Sequence, residues 1–139
     1  MSRICKVLIV ENDDFVRILL ADIFEQEGYG FSTVATGAEM RQALDEDDFD
    51  IVVIDVTQPG QEDGFALAQI AGGQGCGAIL VTGDHRHLER LQQSGQHYLL
   101  KPFRMPELLE IADKILVEIA AQCVRRTRDD GSFFPARTG

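Results

Sequence analysis

IVVID, residues 51–55, runs straight into VTQPGQEDG, residues 56–64. Four apolar residues without polar alternation read as a strand covered on both faces. The run stops at Asp55, and turn-forming residues follow at once. Four other short runs share its character. KVLIV (6–10) and AILVT (78–82) are buried strands of the same kind, and Phe31–Ala35 and HYLL (97–100) complete a set of five.

Helical patterns separate these strands. Asp13 or Asp14 can cap a helix from Phe15 to Glu27, in which Phe15, Ile18, Leu19, Ile23 and Phe24 recur at helical spacing and Gly28 and Gly30 end the run. Thr36 with Glu39 makes a capping box for a helix to about Leu44. DEDD (45–48) is expected as a solvated acidic loop. Phe65–Ala71 is a short helix broken by Gly72 and Gly73, and His85–Gln93 is a polar helix ending near Gly95. Pro106 suits the first turn of a last helix. Its apolar stripe runs from Leu108 to about Cys123. The order βαβαβαβαβα predicts an α/β fold, with a parallel sheet, helices on both faces and right-handed crossovers.

The chain has 139 residues, 45% hydrophobic and 26% charged, enough for one domain with a real core. The expected division is a domain over 1–123 and a flexible, Phe-containing basic tail over 124–139. From Arg125 to the end the net charge is +2, so the remainder carries −12 of the total −10. An acidic domain repels nucleic-acid phosphate, which predicts no nucleic-acid partner. Cys5, Cys76 and Cys123 are widely spaced and odd in number, which points to thiols in a reducing compartment. No apolar run approaches the roughly 20 residues of a membrane span. MSRICKVLIV enters a strand without a signal peptide. A cytoplasmic location away from membranes is the expectation.

Ligands of open parallel sheets bind beyond the carboxyl ends of the strands. Strand one ends in Glu11, Asn12 and Asp13, strand three in Asp55, strand four in Thr82 and Gly83, and strand five in Lys101–Pro102. Singly, each is an ordinary cap or turn residue. Together, carboxylates, a hydroxyl and an ammonium on different strands suit a hard divalent cation and a phosphoryl group. Asp55 is then a nucleophile or a metal ligand.

VLIVENDDFVR (7–17), IVVIDVTQPG (51–60), ILVTGD (79–84) and YLLKPF (98–103) resemble the four signature segments of response-regulator receiver domains. The resemblance runs from about Ser2 to Cys123. It implies a flavodoxin-like, doubly wound (βα)5 fold with strand order 2-1-3-4-5. It also implies a stand-alone receiver that accepts a phosphoryl group on Asp55 from a histidine kinase or histidine phosphotransfer protein. Such a receiver then acts on a downstream protein target.

By the same resemblance, Glu11, Asn12, Asp55 and the backbone carbonyl of Thr57 hold weakly bound Mg2+ or Mn2+. Lys101 pairs with the phosphoryl group, and its peptide to Pro102 is cis. Thr82 is the switch hydroxyl, Gly83 offers room and an N–H to the phosphoryl group, and Tyr98 is the rotating aromatic. The implied chemistry is self-phosphorylation and slow self-dephosphorylation, not enzymatic turnover. A homodimer through the fourth and fifth helices is one arrangement seen in such proteins.

The sequence departs from the family pattern in three places. Asn12 replaces the usual second acid, which lowers expected metal affinity. PGQEDG is one residue longer than the usual turn, with Thr57-Gln58 before it in place of an apolar pair. The stretch from Thr82 to Lys101 is a few residues short. Asn12 favours an alternative, a pseudo-receiver that binds partners without phosphorylation. A dehalogenase-type phosphatase has its nucleophile before its acidic loop, opposite to the order here. Nucleotide binding lacks a glycine-rich phosphate cradle. His85 and His87 are expected as exposed polar residues, since i and i+2 on a helix point different ways. Phe133-Phe134-Pro135 is a candidate docking segment.

Overall fold

The computed structural model describes residues 5–56 and 63–129, with side chains to residue 122. Five parallel strands form one sheet in the order β2-β1-β3-β4-β5. They are β1 (Lys6–Val10), β2 (Gly30–Val34), β3 (Ile51–Asp55), β4 (Gly77–Thr82) and β5 (His97–Leu100). Between and after them come α1 (Asp14–Gln26), α2 (Gly37–Glu46), α3 (Gly64–Gly73), α4 (Leu88–Ser94) and α5 (Met105–Asp129). The doubly wound fold expected from the sequence, with its strand order, is the one present.

The central strands are apolar on both faces because helices cover both. Leu8, Val10, Val52, Ile54 and Leu80 face a core layer with Met40 of α2, Phe65 and Leu67 of α3, and Leu91 of α4. Val7, Ile9, Val53, Ile79 and Val81 face the opposite layer with Leu20 and Phe24 of α1 and Leu108 and Ile115 of α5. Alternate residues of one strand thus serve different cores. The packing is close at Gly77, where an added Cβ would stand 2.2 Å from Ile115 Cγ2.

The structure corrects several sequence-based expectations. Phe15, Ile18 and Leu19 belong to no core: they are 86%, 68% and 58% exposed. The stripe on the sheet is Val16, Leu20, Ile23 and Phe24, one face further round the helix. Gly72 and Gly73 lie inside α3, and the turn comes at Gly75, whose φ is +88°. The polar helix after β4 is split, because Asp84 caps a 3-10 turn at His85–His87 before α4 begins. Asp45 and Glu46 belong to the end of α2, and Asp47 pairs with Lys6. Helix α5 runs past Cys123 to Asp129, through a stretch with no glycine or proline.

The Thr36–Glu39 cap is present. Thr36 Oγ1 accepts from Glu39 N at 3.1 Å, while Glu39 Oε1 accepts from Ala35 N at 2.8 Å. Thr57, the PGQEDG turn up to Glu62 and Phe133-Phe134-Pro135 lie outside the described residues.

Candidate functional site

Parallel strands place their carboxyl ends on one edge, and the register there is tight. Asp55 of β3 is level with Val81 of β4, and Thr82 is level with Leu100 of β5. The N–H of Lys101 donates to the carbonyl of Thr82 at 2.8 Å, which holds the lysine's backbone at the same edge. The Lys101–Pro102 peptide is cis, as the resemblance implied.

Lys101 Nζ lies 3.2 Å from Glu11 Oε1 and 3.3 Å from Asp55 Oδ2. One ammonium just past β5 thus bridges carboxylates that follow β1 and end β3. Glu11 is 2% exposed, Asp55 7% and Thr82 0%. Charged groups this deep need partners, and here they have one another.

One lysine does not balance two buried carboxylates. Burial, then the hydrogen bond to Asp55 and its charge, push the Glu11 carboxyl up to about 7, against the opposing pull of Lys101. Two adjacent carboxylates that retain a proton near neutrality suit a divalent cation, which would replace the proton. The donor chemistry therefore fits Mg2+ through oxygen from Glu11 and Asp55.

The neighbouring acid positions contribute less. Asn12 is exposed. Asp13 is committed to helix α1, where its Oδ1 accepts from Phe15 N at 2.9 Å and Val16 N at 3.1 Å. It does not stand in for the missing second acid. Among the described residues, no three His, Cys, Asp or Glu side chains converge on a common metal position.

Thr82 Oγ1 accepts from Asp84 N at 3.0 Å, so its hydroxyl rotor turns about a fixed oxygen. Asp84 is occupied by Arg86, whose fork holds its carboxyl far below the usual range. Gly83 is exposed, without the positive φ that would demand glycine, and an added Cβ would stand 3.7 Å from Lys101 Cβ. Tyr98 is half-buried on β5 and packs on the layer formed by α2, α3 and α4. His85 is exposed, and His87 Nε2 lies 3.9 Å from Asp84 Oδ2.

Sequence reasoning missed two arginines. Arg17 reaches back from α1, and its Nη1 donates to the Glu11 carbonyl at 2.8 Å, while the same side chain pairs with Asp14. The signal was Asp14 and Arg17 at i, i+3 on a helix start. Arg90 of α4 pairs with Asp63, the cap of α3. Their separation of 27 residues left no local signal.

Comparisons with known proteins agree with this geometry. The Aerobic respiration control protein ArcA of Escherichia coli (strain K12) is 35% identical over 114 residues, covering 79% of this chain and 48% of that protein. The TorCAD operon transcriptional regulatory protein TorR of the same strain is 29% identical over 130 residues, covering 89% and 56%. The chain thus spans about half the length of the curated relatives it matches.

Among solved structures, a CheY-like response regulator receiver domain protein from Methanospirillum hungatei JF-1 matches with a TM-score of 0.76 and 26% identity, over 86% of this chain and 99% of that one. Response regulator TrrA of Thermotoga maritima, solved in complex with Mg(2+)-BeF, matches with a TM-score of 0.71 and 25% identity, over 81% and 99%. The model of the response regulator receiver domain matches residues 7–113. The chain belongs to the response regulator receiver domain family, the signalling modules of two-component systems.

Proposed function

We propose that Asp55 accepts a phosphoryl group from the phosphohistidine of a histidine kinase or phosphotransfer protein, and that this switches protein–protein contacts. One observation carries the reading: the Lys101 ammonium, just past β5, lies within 3.3 Å of the carboxylates of both Glu11 and Asp55. A cation between two buried acids is poised to follow the charge when a phosphoryl group arrives.

The Asp55 carboxylate attacks phosphorus in line, an O–P bond forms and the P–N bond to imidazole breaks, the electron pair staying on the ring nitrogen. Lys101 leaves Asp55 Oδ2 for a phosphoryl oxygen. The Thr82 hydroxyl turns its proton toward another, and Gly83 leaves room for the group. Mg2+, held by Glu11, Asp55, Asn12 and the Thr57 carbonyl, would offset negative charge on the reacting oxygens. Drawing Thr82 inward frees space for Tyr98 and reshapes the surface of α4 and β5.

The partner surface is supported by α1. Phe15, Ile18 and Leu19 are three exposed apolar side chains on the helix that begins three residues after Glu11. A phosphodonor seated there brings its phosphohistidine to Asp55. The acidic charge, −10 overall, disfavours direct contact with nucleic acid. A cytoplasmic location follows from the phosphodonor class.

Incubation with a small-molecule phosphodonor and Mg2+, read by intact mass, tests the reading. The expected result is one phosphoryl group gained by the wild type and none by Asp55→Asn. No gain by the wild type, with a donor active on a control receiver, sinks it. That result would favour the pseudo-receiver reading, whose supporting observation is the exposed, uncharged Asn12 beside a cap-bound Asp13.

A further inference from the structure

Helices α3 and α4 each follow a strand that ends at the site edge. The chain leaves β3 at Asp55 and re-enters as α3 at Gly64; it leaves β4 at Thr82 and re-enters as α4 at Leu88. Arg90 joins the two helices. Its Nη2 lies 2.5 Å from Asp63 Oδ2, and its guanidinium lies 3.9 Å from the centre of the Phe65 ring. The other oxygen of Asp63 caps α3, accepting from Phe65 N at 3.3 Å. One carboxylate thus holds the start of α3 and the body of α4 together.

The same helix start is seated against the chain that leaves Asp55. A Cβ on Gly64 would stand 2.5 Å from Val56 Cγ1 and 2.8 Å from Val56 Cα. Val56 follows Asp55 directly, and its N–H donates to the Val81 carbonyl at 3.0 Å. From Asp55 to Val56, Gly64, Asp63 and Arg90, every step is a covalent bond or a close contact. Movement at Val56 has no slack to disappear into at Gly64.

The pair is half-exposed on both sides. Exposed pairs add little stability and are screened by salt. The stacked guanidinium nevertheless has a fixed orientation, which a lysine would not supply. Such a contact is poorly suited to holding the fold and well suited to transmitting position.

We propose that Arg90 is a positioning residue, clamping the first turn of α3 to α4 so that α4 follows changes at Asp55. The purpose of this coupling rests on the phosphoacceptor reading, but its existence does not. It is a second route to the α4 surface, separate from that through Thr82 and Tyr98.

The test is a double-mutant cycle read by amide chemical shifts. Asp55→Asn is introduced into the wild type and into Arg90→Ala, and its effect on the amides of Glu89–Ser94 is compared. The expected result is a response of these amides in the wild-type background that is lost with Arg90→Ala. The response at Leu100 and Lys101 stays intact in both. Asp63→Asn, which keeps a capping oxygen but removes the charge, gives the same loss and serves if Arg90→Ala folds poorly. An α4 response of unchanged size in either variant overturns the proposal, because a merely stabilising contact would shift the melting temperature and leave transmission alone. No phosphodonor enters this experiment, so its outcome and that of the mass measurement are separate.

Discussion

Glu11 sets the pH behaviour of the site. Its folded value of about 7 lies above the ordinary 4.5 expected when unfolded. The folded protein therefore holds a proton that the unfolded chain releases between those values. The stabilisation is complete below pH 4.5 and is lost as pH rises through 7. At about 1.4 kcal/mol per unit, the loss is at most roughly 3–4 kcal/mol. Chemical denaturation in chelator at pH 5 and pH 8 should show lower stability at pH 8, and Glu11→Gln should abolish the difference.

Mg2+ competes with that proton, so its apparent affinity should rise with pH up to about 7. Asn12→Asp adds a charge near solvent, where a unit pair is worth about 1 kcal/mol and a divalent ion about twice that. A Mg2+ titration should show tightening on the order of tenfold. Glu11, Asp55, Thr82 and Lys101 were legible in the sequence, because parallel strands must end on one edge. Arg90 was not, because it acts through a tertiary reach that spacing does not encode, and Arg17 showed only its local pairing with Asp14, not its reach back to the Glu11 carbonyl.

Helix α1 shows where periodicity stops being informative. Phe15, Ile18 and Leu19 have the spacing of a buried stripe, as do Val16, Leu20, Ile23 and Phe24. A helix with two apolar faces has only one sheet to cover, and the pattern does not say which face wins. The exposed face should matter to recognition and little to folding. Phe15→Ser with Ile18→Ser should leave stability within about 0.5 kcal/mol, as surface substitutions do. Phosphorylation by a small-molecule donor should be unchanged, while transfer from a protein phosphodonor should fall; equal transfer rates would remove α1 from the docking surface. The split before α4 was also illegible, since a cap at Asp84 serves a 3-10 turn as well as an α-helix, and α5 outran its apolar stripe.

At the scale of the molecule, the sheet is a partition between two cores that share only backbone. At Gly77 the partition leaves no room for a side chain, because Ile115 of α5 occupies the place of a Cβ. Gly77→Ala should destabilise by about 1–3 kcal/mol, measured by chemical denaturation, and should cost less in an Ile115→Ala background, which lacks the clashing Cγ2. The alternation of five strands and five helices was legible because both core layers demand apolar strands. The depth of packing was not, since it depends on where side chains of distant elements meet. The chain contains no tryptophan and two tyrosines. Tyr29 sits edge-on to Phe24 at 5.2 Å in the α1–α5 layer, whereas Tyr98 lies on the other side at the expected switch. The protein therefore carries its own optical gauge: with no indole to mask phenol emission, its ultraviolet fluorescence comes from Tyr29 and Tyr98 alone, and the proposed switch predicts a change at Tyr98 and none at Tyr29.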